Sequence, residues 1–194
     1  MRAAPSVIGG LWAAFILYWL VLALFNKKVS SSTPRSSGWA VRLAIIVGVI
    51  VVVHFHRHAA AGVILSISRA ARFRPGIAVQ WLGVGLCLAG FALAFWARAH
   101  LGRNWGMPMS LRQGHELVTS GPYGYVRHPI YSGLMLAMIG SAVTLSLLWL
   151  ALFVLYFAYF LYSARTEEKM MLAQFPDTYP AYRRRTKMLV PFVF

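Results

Sequence analysis

The 194-residue chain predicts an all-α, polytopic membrane bundle, and three observations carry that prediction. Hydrophobic residues make up 59% of it and charged residues only 12%, against about half and about a quarter in soluble domains. Several apolar runs approach the roughly 20 residues that a membrane-crossing helix needs. The cations gather at the ends of those runs, where orientation signals lie. No long polar linker divides the chain, so residues 1–194 read as a single membrane domain.

The charge is lopsided: 19 Lys and Arg face 4 acids, a net charge of +15, and no acid precedes Glu116. Strong basicity is also a mark of nucleic-acid binding. Here the cations border apolar spans, so membrane lipids are the expected partners and nucleic acid is not. The single Cys87 excludes an internal disulfide.

The elements follow in order. Span one is Ser6 to Phe25, stopped by Asn26-Lys27-Lys28. Val7 to Phe25 is longer than a secretory core, and no small-residue cleavage site precedes Lys27, so it reads as a retained span. A Ser/Pro/Gly-rich loop, Val29 to Gly38, leads into span two, Trp39 to Phe55. His54, His56 and His58 end that span; only His54 and His58 share a helical face, so they read as an interfacial cluster and no metal is expected. Pro75-Gly76 breaks the chain before span three, Ile77 to Trp96. Gly83-Val84-Gly85 within it is the nearest match to a nucleotide-binding Gly turn. With no acid downstream until Glu116, it reads instead as a helix-packing stripe.

Residues 97 to 130 form the longest polar segment, and 131–163 follows without one Asp, Glu, Lys, Arg or His. A straight helix of that length would measure about 50 Å, against roughly 30 Å of hydrocarbon. A helical hairpin with its turn near Gly140 to Ser146 resolves this and brings the count to about five spans. The tail from Arg165 is amphipathic and basic. The positive-inside rule puts the basic first loop, 97–130 and the tail on the cytoplasmic side, although Arg69, Arg72 and Arg74 then fall outside.

The hairpin is flanked by polar chemistry. Before it stands Gly121-Pro122-Tyr123-Gly124-Tyr125-Val126-Arg127-His128-Pro129-Ile130-Tyr131. Pro129 suits the first position of a helix, which puts His128 at its entrance and a fixed charge, Arg127, beside it. After the hairpin come Glu167 and Glu168, two of the four acids, on the same side of the membrane. Adjacent helical residues diverge by about 100°, so one of Glu167 and Glu168 is expected to face a pocket; pairing on a solvated face is the stronger reading for Glu168 and the weaker one for Glu167. Read from the residues alone, the motif is an interfacial anchor or half of a composite site.

These residues also carry a family resemblance. His115-Glu116-Leu117-Val118-Thr119-Ser120-Gly121-Pro122-Tyr123, followed by Arg127-His128-Pro129-Ile130-Tyr131-Ser132-Gly133, resembles the isoprenylcysteine carboxyl methyltransferase family, which shares its C-terminal signature with phospholipid N-methyltransferases. Leu101-Gly102-x-x-Trp105, Glu167-Glu168-x-x-x-Leu172, Phe175, Tyr179, Tyr182 and Pro191 fit the same pattern, so the resemblance covers about residues 97 to 194. Pro176 replaces the usual Gly after Phe175, and Leu189-Val190-Pro191 replaces a Gly-hydrophobic-Pro ending. Both departures fall in the tail that would frame the acceptor.

The resemblance implies S-adenosyl-L-methionine as methyl donor, leaving as S-adenosyl-L-homocysteine. It implies that His115, Leu117, Gly121, Tyr123, His128, Pro129, Tyr131 and Glu167 line the cofactor, and that Glu167, Arg185 and Arg127 belong to the catalytic part. Arg127 would support the pocket or hold a carboxylate, while Arg183 and Arg184 read as headgroup anchors. The activity implied is carboxyl O-methylation of an isoprenylcysteine-like, lipid-modified acceptor. The alternatives are N-methylation of an aminophospholipid and a non-catalytic lipid-binding protein.

Overall fold

A computed structural model describes residues 3–23, 75–102, 105, 116–146 and 148–191. Among them the secondary structure is helical: α1 (Ala3–Ala23), α2 (Ile77–Leu101), a 3-10 turn (Gly121–Gly124), α3 (Pro129–Thr144), α4 (Leu148–Gln174) and α5 (Tyr179–Arg185). The segments Ala3–Leu22, Ile77–Leu101 and Trp149–Gln174 are long and apolar enough to cross a membrane, and α3 is a shorter apolar helix. This is the membrane helical bundle that the composition predicts. Span two, His54, His56, His58 and the cations at 69, 72 and 74 lie outside the described residues.

The hairpin is present, with different bounds. Its first arm is α3, about 24 Å at 1.5 Å per residue and so shorter than the hydrocarbon. Helix α3 ends at Thr144, so the turn begins at Leu145, at the late edge of the Gly140–Ser146 window. Its second arm, α4, is 27 residues long and continues past Ser163 to Gln174. Glu167 and Glu168 are therefore helical residues of the hairpin itself, and do not follow it.

Packing between α2 and α3 rests on backbone approach. A Cβ added to Gly90 would stand 2.6 Å from the Ala137 nitrogen, and one at Gly140 would stand 2.6 Å from the Cys87 nitrogen. At Gly83 it would stand 2.6 Å from the Gly140 carbonyl oxygen. Gly83, Cys87, Gly90, Ala94 and Ala97 recur at alternating spacings of four and three, a small-residue face set against Gly133, Ala137 and Gly140. In lipid, where apolar burial gives little drive, such close approach is what joins helices. Gly83 and Gly90 thus serve packing, whereas Gly85 meets nothing within 4 Å.

Helix α1 closes over this pair with one stripe. Ala4, Ile8 and Phe15 are buried with Val84, Cys87, Phe91 and Ala94 of α2 and Ala137 of α3, while Leu17, Leu20 and Val21 face outward. Phe15 stacks on Phe91 at 4.8 Å, and Trp12 Nε1 donates to Ser141 Oγ at 2.9 Å. A hydrogen bond among apolar helices fixes the rotation of α1, because slippage would strand the Trp12 N–H, while Ser141 keeps its bond to the Ala137 carbonyl.

Candidate functional site

The site lies at the end of the bundle where α3 begins and α4 nears its end. Gly121 opens the 3-10 turn at φ +59°, and an added Cβ there would run into the His100 ring at the end of α2, so the position requires glycine twice over. The turn buries Tyr123, whose carbonyl accepts from the Tyr182 hydroxyl at 2.7 Å. Pro129 stands at the first position of α3 and His128 is its N-cap, as the sequence predicts.

The tail is strapped to this entrance by its own carbonyls. Val126 and Lys187 form a parallel bridge, Arg127 N–H donates to Lys187 O at 2.8 Å, and His128 N–H donates to Met188 O at 3.1 Å. The Ser132 hydroxyl donates to Leu189 O at 2.5 Å, and the Arg127 guanidinium donates to the carbonyls of Thr186 and Arg183. Leu189, 1% exposed, anchors the strap in a cluster with Tyr131, Met135, Phe160 and Ala164.

Two carboxylates meet this entrance. Glu168 Oε1 lies 2.6 Å from Arg127 Nε, with both side chains buried, and Glu168 Oε2 lies 3.3 Å from Arg183 Nε. Glu167 Oε1 accepts from the Tyr131 hydroxyl at 2.5 Å and the Ser163 hydroxyl at 3.0 Å. His128 sits between them, Nδ1 at 3.4 Å from Glu167 Oε2 and Nε2 at 3.7 Å from Glu168 Oε1. The second distance is an ion pair and too long for a hydrogen bond, so the buried Nε2 makes no hydrogen bond among the described residues. The rings of His128, Tyr131 and Phe160 stack in sequence at 5.5 and 4.6 Å.

The structure thus brings together Tyr123, Arg127, His128, Pro129, Tyr131 and Glu167, with Gly121 shaping the turn. Leu117 is half-buried just before that turn, and His115 lies outside the described residues. The expectation for Glu168 is corrected: it is 4% exposed and belongs to the cluster, so both acids face inward. Arg185 ends α5 exposed and makes none of these ion pairs, whereas Arg183 does. Ser163, fully buried, is a member that the motif comparison omits. Its position four residues before Glu167 was the available signal. Nothing in the sequence points to the carbonyls of Thr186, Lys187 and Met188, because backbone acceptors carry no residue code.

Burial lowers the pKa of His128, but the hydrogen bond and charge of Glu167 and the charge of Glu168 outweigh it, so the net shift is upward from the ordinary 6.5. A raised folded-state pKa stabilises the fold fully below the unfolded value, and that contribution fades as pH rises through the folded one. The melting temperature of the solubilised protein is therefore expected to decline from about pH 6.5 upward. The His128→Asn variant, less stable at low pH, should lack this decline; equal slopes would refute the coupling.

Comparison with known proteins accounts for this cluster. Residues 82–174 match the model of the "Isoprenylcysteine carboxyl methyltransferase (ICMT) family". The match takes in α2 from Leu82 onward, the motif, the hairpin and both glutamates. The chain is 40% identical over 97 residues to the cobalt-zinc-cadmium resistance protein CzcN of Cupriavidus metallidurans, covering 48% of this chain and 44% of that protein. It is 36% identical over 131 residues to methanethiol S-methyltransferase 2 of Bradyrhizobium diazoefficiens, covering 61% and 49%. It is 30% identical over 129 residues to protein-S-isoprenylcysteine O-methyltransferase B of Arabidopsis thaliana, covering 62% and 66%. The chain thus spans about half the length of several of the curated relatives it matches. The solved eukaryotic intramembrane Ras methyltransferase ICMT shares the fold, with TM-score 0.53 and 21% identity over 82% of this chain and 55% of that one.

Proposed function

We propose that the chain is an integral membrane methyltransferase that uses S-adenosyl-L-methionine and acts on a lipophilic acceptor bearing a carboxylate. The observation that carries this reading is the paired-glutamate cluster around His128, inside the segment that matches the methyltransferase family model. The buried, unbonded His128 Nε2 suits a polar group of a ligand, and so fits a cofactor rich in carboxylate, amine and hydroxyl groups. His128, Tyr131 and Glu167 would hold it, with Gly121 and Tyr123 shaping the wall and Leu117 leading in. When bound, that cofactor supplies a methyl group on a cationic sulfur, open to in-line attack.

The chain's own work is then alignment and exclusion of water. Glu167 is held by two hydroxyls and faces the His128 ring, so its oxygens are already engaged within the cluster and not turned toward an incoming ammonium proton. A carboxylate acceptor is ionised at neutral pH and needs no base, whereas an ammonium acceptor must lose a proton. The geometry therefore favours carboxyl over amine methylation. Arg127 is occupied by Glu168 and by carbonyls, so its part is to hold the strap and the cluster in place. The cofactor would enter from the cytoplasmic side, by the positive-inside argument, and the acceptor's tail from the bilayer.

Calorimetry with S-adenosyl-L-homocysteine and a labelled-methyl assay test this reading. Wild type is expected to bind, and to give a base-labile ester on a prenylcysteine analogue but no product on phosphatidylethanolamine. His128→Ala, Tyr131→Phe and Glu167→Gln should each lose at least tenfold in cofactor affinity or turnover. No binding by wild type, or three variants with unchanged activity, would sink the assignment.

A further inference from the structure

Apart from the pairing of Arg183 with Glu168, the arginines of α5 are not engaged by the cluster above, yet they are not scattered. Arg183, Arg184 and Arg185 fill the last turn of α5 and are exposed. Arg183 and Arg184 line an open concavity together with Leu172 and Pro180. Leu172 lies three residues after Lys169 and seven after Arg165, which puts all three on one stripe of α4. Lys169 and Arg165 are exposed too. Two helices therefore bring cations to one elbow with an apolar floor. The cations outnumber the nearby acids: Glu168 is buried and shared between Arg127 and Arg183, and Asp177 is the exposed acid among the described residues of the elbow.

Cations in the last turn of a helix answer its dipole, which accounts for basic residues on α5. It does not account for Arg165 and Lys169, which stand on a different helix. Arg183 is also only partly engaged: its Nε meets Glu168, while the side chain remains 52% exposed. The rest of its planar fork is open, and such forks suit phosphate oxygens in pairs. The elbow ends the membrane-crossing segment Trp149–Gln174, at the depth where headgroups lie.

We propose that the α4–α5 elbow is a binding site for the phosphate headgroup of an anionic phospholipid. Arg183 and Arg184 take the phosphate, Lys169 and Arg165 supply charge alongside, and Leu172 and Pro180 underlie the start of the acyl region. Because Arg183 also touches Glu168, an occupied elbow shares one guanidinium with the His128 cluster. The site does not depend on the methyl-transfer reading.

The test uses the full chain in detergent, supplied with phosphatidylglycerol or with phosphatidylcholine of the same acyl chains. Retained lipid is counted by native mass spectrometry, and the melting temperature is read in parallel. Phosphatidylglycerol should be retained and raise the melting temperature, and phosphatidylcholine should do neither. Arg184→Gln, which leaves the Arg183–Glu168 pair intact, should cut retention at least threefold, and Arg183→Gln/Arg184→Gln at least tenfold. Lys27→Gln/Lys28→Gln removes equal charge from the first loop and should leave retention unchanged. Equal loss in the two double variants would mean diffuse attraction and overturn the site. Equal retention of phosphatidylcholine, or the same thermal shift from millimolar inorganic phosphate alone, would also overturn it.

Discussion

Arg127→Ala is expected to cost about 3–5 kcal/mol of stability, the usual penalty for removing one partner of a buried ion pair. Its partner Glu168 is 4% exposed and would keep only the partly exposed Arg183 at 3.3 Å and His128 at 3.7 Å. The same change frees the carbonyls of Arg183 and Thr186, so the tail strap loosens together with the site. Arg127→Lys should rescue little, because a single ammonium cannot supply the guanidinium fork that reaches Glu168 and two carbonyls at once. In Arg127→Ala/Glu168→Ala the stranded charge is gone, so the double variant should recover part of the loss. Denaturation of the solubilised protein, followed by tryptophan fluorescence, measures the three variants against wild type. If Arg127→Ala unfolds at the wild-type midpoint, the pair does not hold this end of the bundle.

Gly90→Ala is expected to destabilise the bundle by about 1–3 kcal/mol, the usual range for overpacking. The new methyl would stand 2.6 Å from the Ala137 nitrogen and 3.1 Å from its Cα, and backbone on a facing helix has no rotamer by which to yield. Helices α2 and α3 would have to separate, and α3 carries His128 and Tyr131 at its entrance, so ligand binding should fall with stability. Gly85→Ala is the matched control on the same helix. Its Cβ meets nothing within 4 Å, so it should be neutral, or stabilising by about 0.5–1 kcal/mol through helix propensity. Thermal unfolding of the two variants side by side decides the matter, and equal melting temperatures would refute backbone contact as the basis of this packing.

Each of these sites was legible in the sequence to a different depth. Gly83-Val84-Gly85 showed that span three carries small residues, but not which of them faces a partner. The structure assigns Gly83 to the α3 interface and leaves Gly85 open. Pro129 after Arg127-His128 fixed the start of α3, because ring geometry and a missing N–H act locally. The hairpin followed from length against membrane thickness, and its turn falls at the late edge of the Gly140–Ser146 window, since Gly140 is spent on the close approach to Cys87.

What the sequence determined by itself is what depends on neighbours along the chain: apolar runs of membrane length, a helix entrance at His128, two acids at the far end of a hairpin, and the family pattern joining them. What only the tertiary structure decided is how the two acids are used. Helical geometry sends Glu167 and Glu168 about 100° apart, which suggested that one must face away. An imidazole carries its nitrogens on different edges, so His128 meets one acid at each. Glu168 turns inward because Arg127, held by tail carbonyls some 60 residues later in the chain, waits there to neutralise it. Pairing of that kind depends on where the backbone returns in space, and backbone carbonyls are the same at every residue.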